Sequence, residues 1–578
     1  MAERVRRSVM RRAAALTAAC GVGIASFTLG TAEDTLAGFH DETYAHAGVS
    51  TEGMPPTLPV FNDQSAGSTL FVTRTGELYL SGMRNSGDGN GSARTPAKAD
   101  PTRIEFPEDV RIVDAAGSSN DFSYVSSTSY MALDDQGGVW TWGRPVGGAN
   151  VIGRGNIGLT ASYTVGRVTS TADGTPLPRI VDIERSENQF LALDERGTLW
   201  SWGYNGENLP RDSALRDRGR PGASNATTTS HTSLGGCGGR PVTWHSIWGG
   251  NNSSAAVATN GLIYSWGFDN DDGLTSGRTS QKCPILNESA NRALFQAYPE
   301  HYHAENGATY DESSPELNGS SVAETLKLRQ KRYEEIVSSM EGRPLGVCSS
   351  ISAKSVVDEG DCPVRQFGYS ARAPRMLLQN GDLYTWQIKD SPGDPYGDAF
   401  IGRQPSNPSG NTRDSWWEKG SIRRPEVALR DVDYVVPGIS AAIALTRSGE
   451  VYGWGRNNIC QAVGARVADS RPCTQDVGDD ADMVVLPTRV RGQGMENARI
   501  TGVESTQCAT WAIDHEGNIW GWGAGTATGR VFRYCSPNGS TGGYDTEGYK
   551  LYDKTLATTQ RPFGEPIATA GTALRKLR

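Results

Sequence analysis

One short frame recurs along this chain and constrains its fold more than any other feature. It reads GELYLSG from Gly76, GGVWTWG from Gly137, GTLWSWG from Gly197 and GLIYSWG from Gly261, then GDLYTWQ from Gly381, GEVYGWG from Gly449 and GNIWGWG from Gly517. Seven copies of a glycine, an aliphatic, an aromatic and then, in most cases, Trp-Gly mark a repeat architecture, in which each unit buries its apolar face only against its neighbours. Before the glycine comes an apolar stretch and a turn: MALDDQG, LALDERG, AIALTRSG, WAIDHEG. Asp134, Asp194 and Asp514 each stand three residues before a glycine, the Asp-to-Gly spacing of a type I turn. Glycine there tolerates positive φ and closes a hairpin without splaying its strands. Each unit is therefore strand, turn, strand. In the second strand Tyr452 and Trp454 point to one side, Val451 and the glycines to the other.

A lone hairpin is marginal in water. Burying one Trp removes on the order of 200 Å² from solvent, worth about 5 kcal/mol as an upper figure, and only an adjacent sheet can supply that burial. Small sheets packed radially, each wedging its indoles against a neighbouring blade, make a β-propeller. The frame glycines are 61, 60, 64, 120, 68 and 68 residues apart. The long interval predicts an insertion over 275–370, between the fourth and fifth blades. Within it, Ser321 and Glu324 form a capping box, and Val322, Leu326, Tyr333, Ile336, Val337 and Met340 recur at helical spacing, so an amphipathic helix spans 321–341. Its apolar stripe covers the propeller rim or makes this a partner-binding helix. The segments are thus 56–274 for blades one to four, the insertion, and 371–578 for blades five to seven with a ring-closing strand. Residues 561–571 and the stretch TLPVFNDQSAG are expected to share one closing blade, which would leave no open edge.

These residues resemble the regulator of chromosome condensation repeat family, which forms seven-bladed propellers. WGYN at 202–205 keeps the family's Asn, and WGRNNICQAVG at 454–464 keeps Asn457, Gln461 and Gly464, with Cys460 in place of a family glycine. TWGRPVGG at 141–148 keeps part of the tail. The resemblance covers roughly 56–570 apart from the insertion, and it implies an all-β, seven-bladed β-propeller. It implies no single activity, because family members include nucleotide-exchange factors, a light receptor and a secreted enzyme inhibitor.

The first 35 residues are a separate object. MAERVRRSVMRR is basic, and the run from Ala13 to Ala32 is apolar and free of charge, the order of an export signal. At 20 residues the run is also just long enough to act as a membrane anchor, and Arg6-Arg7-Ser8-Val9-Met10 loosely resembles a twin-arginine signal. Leu16-Thr17-Ala18-Ala19-Cys20 hints at a lipoprotein box, although the apolar run continues past the cysteine. Residues 36–55 read as a linker. Eight further cysteines, Cys237, Cys283, Cys348, Cys362, Cys460, Cys473, Cys508 and Cys535, are an even set without a CxxC pair, which fits disulfides between sequence neighbours in an oxidising compartment. The net charge is −9, and −13 without residues 1–31, a balance that argues against nucleic acid as partner.

Motifs with chemistry are few. His301, His303 and Glu305 alternate in the insertion and are weak metal candidates, with a solvated loop the simpler reading. Residues 268–273 superficially resemble a calcium loop, with the glycine one place early. No G-x-S-x-G elbow, phosphate loop or H-E-x-x-H occurs, and no cofactor is implied. Trp416 and Trp417 are the Trp pair outside the frame and the candidate binding aromatics. The sequence thus points to an exported, non-catalytic scaffold for an extracellular or cell-surface protein, touching membrane only through its N-terminal segment where that is uncleaved. A secreted hydrolase or lyase with a loop-borne site, and a carbohydrate-binding module, are the alternatives.

Overall fold

A computed structural model describes residues 59–60, 68–72, 76–82, 87–92, 98–119, 128–144, 152–155, 162–186, 189–203, 222–223, 242–249, 253–267, 281–341, 343, 347–348, 351, 362–369, 373–386, 400–403, 424–436, 441–457, 460–464, 467, 482–491, 495–505, 509–515, 519–523, 530–531 and 549–550. The segments read from sequence as an export leader, a linker and a ring-closing strand (1–35, 36–55 and 561–571), with Trp416 and Trp417, lie outside them.

Among these residues the chain forms seven antiparallel sheets of three or four strands, each a simple up-and-down meander, and one two-stranded ribbon. The first blade is β1–β4 (Pro59–Val60, Ser68–Val72, Leu78–Gly82, Lys98–Arg103), and the second is β5–β8 (Ile112–Ser119, Thr128–Asp134, Val139–Gly143, Ser162–Arg167). The third is β9–β12 (Ile180–Ser186, Gln189–Asp194, Leu199–Gly203, Gly222–Ala223), and the fourth is β13–β16 (Trp244–Gly249, Ser253–Ala258, Ile263–Gly267, Gln281–Leu286). Two helices, α1 (Glu288–Ala297) and α2 (Val322–Glu341), separate this blade from the fifth, β17–β20 (Val364–Tyr369, Pro374–Leu378, Leu383–Thr385, Glu426–Leu429). The sixth is β21–β24 (Val432–Val436, Ala441–Thr446, Val451–Arg456, Met483–Arg489) and the seventh β25–β27 (Ile500–Ser505, Ala509–Asp514, Ile519–Gly523). The ribbon, β28 and β29 (Arg530–Val531, Tyr549–Lys550), places β29 beside β4 of the first blade.

In each blade the frame supplies the third strand, and strand alternation sends its residues to two neighbours. Tyr130, Ala132 and Trp142 of the second blade pack with Leu78, Leu80 and Ile104 of the first. Met131, Leu133 and Val139 of the same blade pack with Ile183, Phe190 and Trp202 of the third. The tryptophan at the sixth frame position is therefore buried against the preceding blade: Trp142, Trp202, Trp266, Trp386 and Trp454 are all fully enclosed. Each such seam is a dry core of large and small side chains, the condition for tight packing between sheets.

The turn glycines serve the opposite seam. Gly76, Gly137, Gly197, Gly261, Gly381 and Gly449 all have positive φ, between 77° and 88°. A side chain at Gly137 or Gly197 would strike the backbone of Ile180 or Trp244 at 2.6–2.7 Å, so the next blade's inner strand can approach closely. The glycine carbonyls accept from that strand: Ile112 N to Gly76 O (2.8 Å), Ile180 N to Gly137 O (3.0 Å), Trp244 N to Gly197 O (2.9 Å), Val432 N to Gly381 O (2.9 Å) and Ile500 N to Gly449 O (3.1 Å). Backbone groups thus link one blade to the next at five junctions.

The insertion is narrower than the frame spacing implies. Residues 281–286 are the outer strand of the fourth blade and 364–369 the inner strand of the fifth, so the boundaries 275 and 370 are corrected to 287 and 363. The frame marks only third strands, and its absence from a stretch says nothing about outer and inner ones. The N-terminal Pro59–Val60 pairs with β2, as the inner strand of the first blade.

Candidate interaction surface

At Gly261 the junction rule changes. The donor to this carbonyl is the hydroxyl of Tyr302, from the insertion, at 2.8 Å. Tyr302 is fully buried and stacks on Phe295 of α1 (5.2 Å), which stacks in turn on Tyr333 of α2 (5.6 Å). Burial pushes the Tyr302 and Tyr333 hydroxyls well above the ordinary tyrosine range.

The helices lock onto the fourth blade through polar mimicry of a strand. Asn287 caps α1, its side chain accepting from Ala290 N at 3.0 Å. One turn on, Asn291 accepts from Ile263 N (2.9 Å) and donates to Ile263 O (2.8 Å), satisfying both backbone groups of a third-strand residue. Arg292 is ion-paired to Glu288 (2.5 Å) and lies over the Tyr333 ring at 4.9 Å. Toward the fifth blade, Glu312 takes Arg329 of α2 (3.0 Å) and Arg424 ahead of β20 (2.8 Å), and Tyr298 Oη accepts from Asn380 N (3.1 Å). Tyr310, beside these charges, is pushed up to about 12 by burial.

Helix α2 starts at Val322, directly after the Ser321 cap, as the capping box implies. Ser321 accepts from Glu324 N at 3.2 Å as expected, but the Glu324 carboxylate reaches back to Ser320 N and Oγ (2.8 and 2.6 Å). Tyr333, Ile336, Val337 and Met340 of the expected stripe are buried in one apolar cluster with residues of both flanking blades. Leu326 is half-buried and Val322 is 59% exposed, so the stripe covers the rim only over the last turns. The opposite face, Glu324, Lys327, Lys331, Glu334 and Ser338, is exposed at i+3 and i+4 spacing and sets two lysines between two glutamates. This fixed, charged ridge is the candidate surface.

The other candidates fall as follows. His301 is half-exposed beside Glu300 (3.8 Å), while His303 Nδ1 stands 3.4 Å from the Arg343 guanidinium, and Glu305 is exposed. Structure does not bring the three together, and among the described residues no group of three or more metal-ligating side chains occurs. Cys348 and Cys362 stand at S–S 2.14 Å, and Cys460 is bonded too. Cys283 lies on β16; Cys237, Cys473, Cys508 and Cys535 lie outside the described residues. No described helix is long and apolar enough to cross a membrane.

The sequence reading placed tail residues at 141–148 and 454–464 and missed the Ile-Gly-Arg copies at 152–154 and 401–403. Gly153 (φ 71°) and Gly402 (φ 66°) lie against Trp202 and Trp454 of the following blades, where a Cβ would meet the indole Nε1 at 2.6 and 2.8 Å. Both sit in Ile-Gly-Arg: Thr141 Oγ1 donates to Ile152 O (2.6 Å), as Thr385 Oγ1 does to Ile401 O, and Trp454 Nε1 donates to Phe400 O (3.1 Å). The tripeptide was findable, but loops of different length separate it from the frame.

No protein-family model matches the chain. Over 215 residues, 35% of its length, it is 28% identical to the RCC1 domain-containing mitochondrial protein RUG3 of Arabidopsis thaliana, of which the match covers 40%. The chain carries an RCC1-like β-propeller. It is also 23% identical over 297 residues, 50% of its length, to the mouse E3 ubiquitin-protein ligase HERC2, covering 5% of that protein. The RCC1-like matches thus span well under half of either relative. Solved structures similar to it include Prp20p of Saccharomyces cerevisiae, studied for binding to Gsp1p and histones (17% identity, TM-score 0.45, 76% of this chain and 78% of that one). Human WBSCR16 is another (16% identity, TM-score 0.43, 76% and 82%).

Proposed function

We propose that this chain is an exported, non-catalytic scaffold, a seven-bladed RCC1-like ring that holds a partner protein on the rim of its fourth and fifth blades. One observation carries the reading. The insertion replaces a blade-to-blade hydrogen bond with the Tyr302 hydroxyl, so its inner side chains are consumed by the ring and the outer face of α2 is presented rigidly. A pre-ordered surface binds without the entropy cost of ordering a loop. Lys327 and Lys331 flanked by Glu324 and Glu334 favour a partner with an acidic patch between basic groups, and the basic-then-apolar leader favours a partner outside the cytoplasm.

The test is affinity capture from extracellular and envelope fractions with the full chain and with the Lys327→Glu/Lys331→Glu variant. A partner held by the wild type and released at least tenfold faster by the variant supports the scaffold. A partner held equally by both, or a chain recovered only from the cytoplasm, overturns the corresponding half of the proposal.

A further inference from the structure

The repeat provides its own control for unusual residues. In the first six blades one position on the second strand pairs with the middle of the frame and faces the following blade. It is Leu70 opposite Leu80, Met131 opposite Thr141, Leu191 opposite Ser201, Ala255 opposite Ser265 and Ile443 opposite Gly453. All five are buried and apolar. In the fifth blade the same position, opposite Thr385, is Arg375, and its exposure is 0%.

An arginine here is costly, because burial penalises a charge unless an acid or a full set of acceptors faces it. Arg375 has neither. Its guanidinium lies over the Trp454 ring at 5.7 Å, and Nη1 reaches Val436 O of the sixth blade only at 3.5 Å. Asp433, on the inner strand of the sixth blade, is taken by Arg365 at 2.6 Å, and the Gln366 oxygen by Val435 N at 2.9 Å. Among the described residues Arg375 Nε and Nη2 have no hydrogen-bond partner. Those two N–H groups are parallel and on one edge, the fork that grips both oxygens of a carboxylate or phosphate.

We propose that the seam between the fifth and sixth blades is an oxyanion site, in which Arg375 Nε and Nη2 bind two oxygens of a small carboxylate or a phosphate. The indole of Trp454 holds the guanidinium plane from one side, and Val436 O anchors its far nitrogen, so the fork is pre-set. This site is independent of the rim surface and needs no partner protein.

The test is calorimetric melting of the full chain in chloride, inorganic phosphate and formate at matched ionic strength. The melting temperature is expected to rise with the logarithm of phosphate or formate concentration and not with chloride. A response to phosphate alone assigns a phosphate ligand, and to formate alone a carboxylate. Arg375→Met, the residue of the second blade, abolishes the rise and melts in chloride at or above the wild type. Arg375→Lys keeps the charge without the fork and weakens the response at least tenfold, which decides the matter should the Met variant fail to fold. Equal melting of the wild type in all three salts, or an undiminished response in Arg375→Lys, overturns the site.

Discussion

Single residues in this chain do two jobs at once, and the turn aspartates show it best. Asp134 Oδ1 accepts from Gln136 N (3.0 Å) and Gly138 N (2.6 Å), and Oδ2 from the indole of Trp140 (2.8 Å). Asp194 with Trp200 (2.9 Å) and Asp514 with Trp520 (2.9 Å) repeat the device. Where the first frame aromatic is Tyr79 or Tyr452, a glutamate two residues earlier accepts its hydroxyl instead, at 3.5 and 3.3 Å. Asp134→Ala should therefore cost about 2–4 kcal/mol in chemical denaturation, since it strands buried donors. A loss below ~1 kcal/mol would contradict the pairing. The turn was legible from Asp and Gly spacing, but the second bond spans six residues and depends on hairpin register, which spacing does not give. The Ile-Gly-Arg glycines offer a cleaner contrast. Gly402→Ala meets both positive φ and an indole, whereas Gly174→Ala has φ 85° with open space around it. Gly174→Ala should cost about 1 kcal/mol from backbone strain alone, and Gly402→Ala should exceed it by at least ~1 kcal/mol, as read from paired melts.

At the scale of elements the insertion behaves as part of the propeller. Its core residues share one apolar cluster with the fourth and fifth blades, and Tyr302 completes a junction. Tyr302, Tyr310 and Tyr333 hold their protons more tightly when folded than the ordinary value of 10.0, so their contribution to stability is complete below that pH. It is lost as pH rises through the folded values, because the unfolded chain releases those protons first. Unfolding free energy should fall steeply above pH ~10, and Tyr302→Phe should lessen that slope while costing about 1–3 kcal/mol at pH 7. An unchanged alkaline slope would show that the hydroxyl is not buried as described. Helix α2 was legible because its stripe is long and periodic. Helix α1 was not, because Asn291 and Arg292 occupy buried positions, and polar residues there erase the pattern that marks a core-facing helix.

For the whole molecule, the frame alone implied repeated sheets, and the structure adds how they hold together: indoles toward the preceding blade, glycine carbonyls toward the next. The N-terminal segment expected to direct export and the paired tryptophans at 416 and 417 lie outside the described residues, so the proposed cellular setting rests on sequence. The rim surface was not legible, since it depends on which face of α2 the ring consumes. The central claim is that blades and insertion form one cooperative body. Native-state hydrogen exchange tests it most directly, through the junction amides of Trp244 and Val432 and the α1 amides bonded within the insertion. The account predicts that these amides exchange through one common opening with the same free energy and the same denaturant dependence. Exchange of residues 288–341 through a separate, lower-energy opening, with the flanking blades still protected, would contradict it.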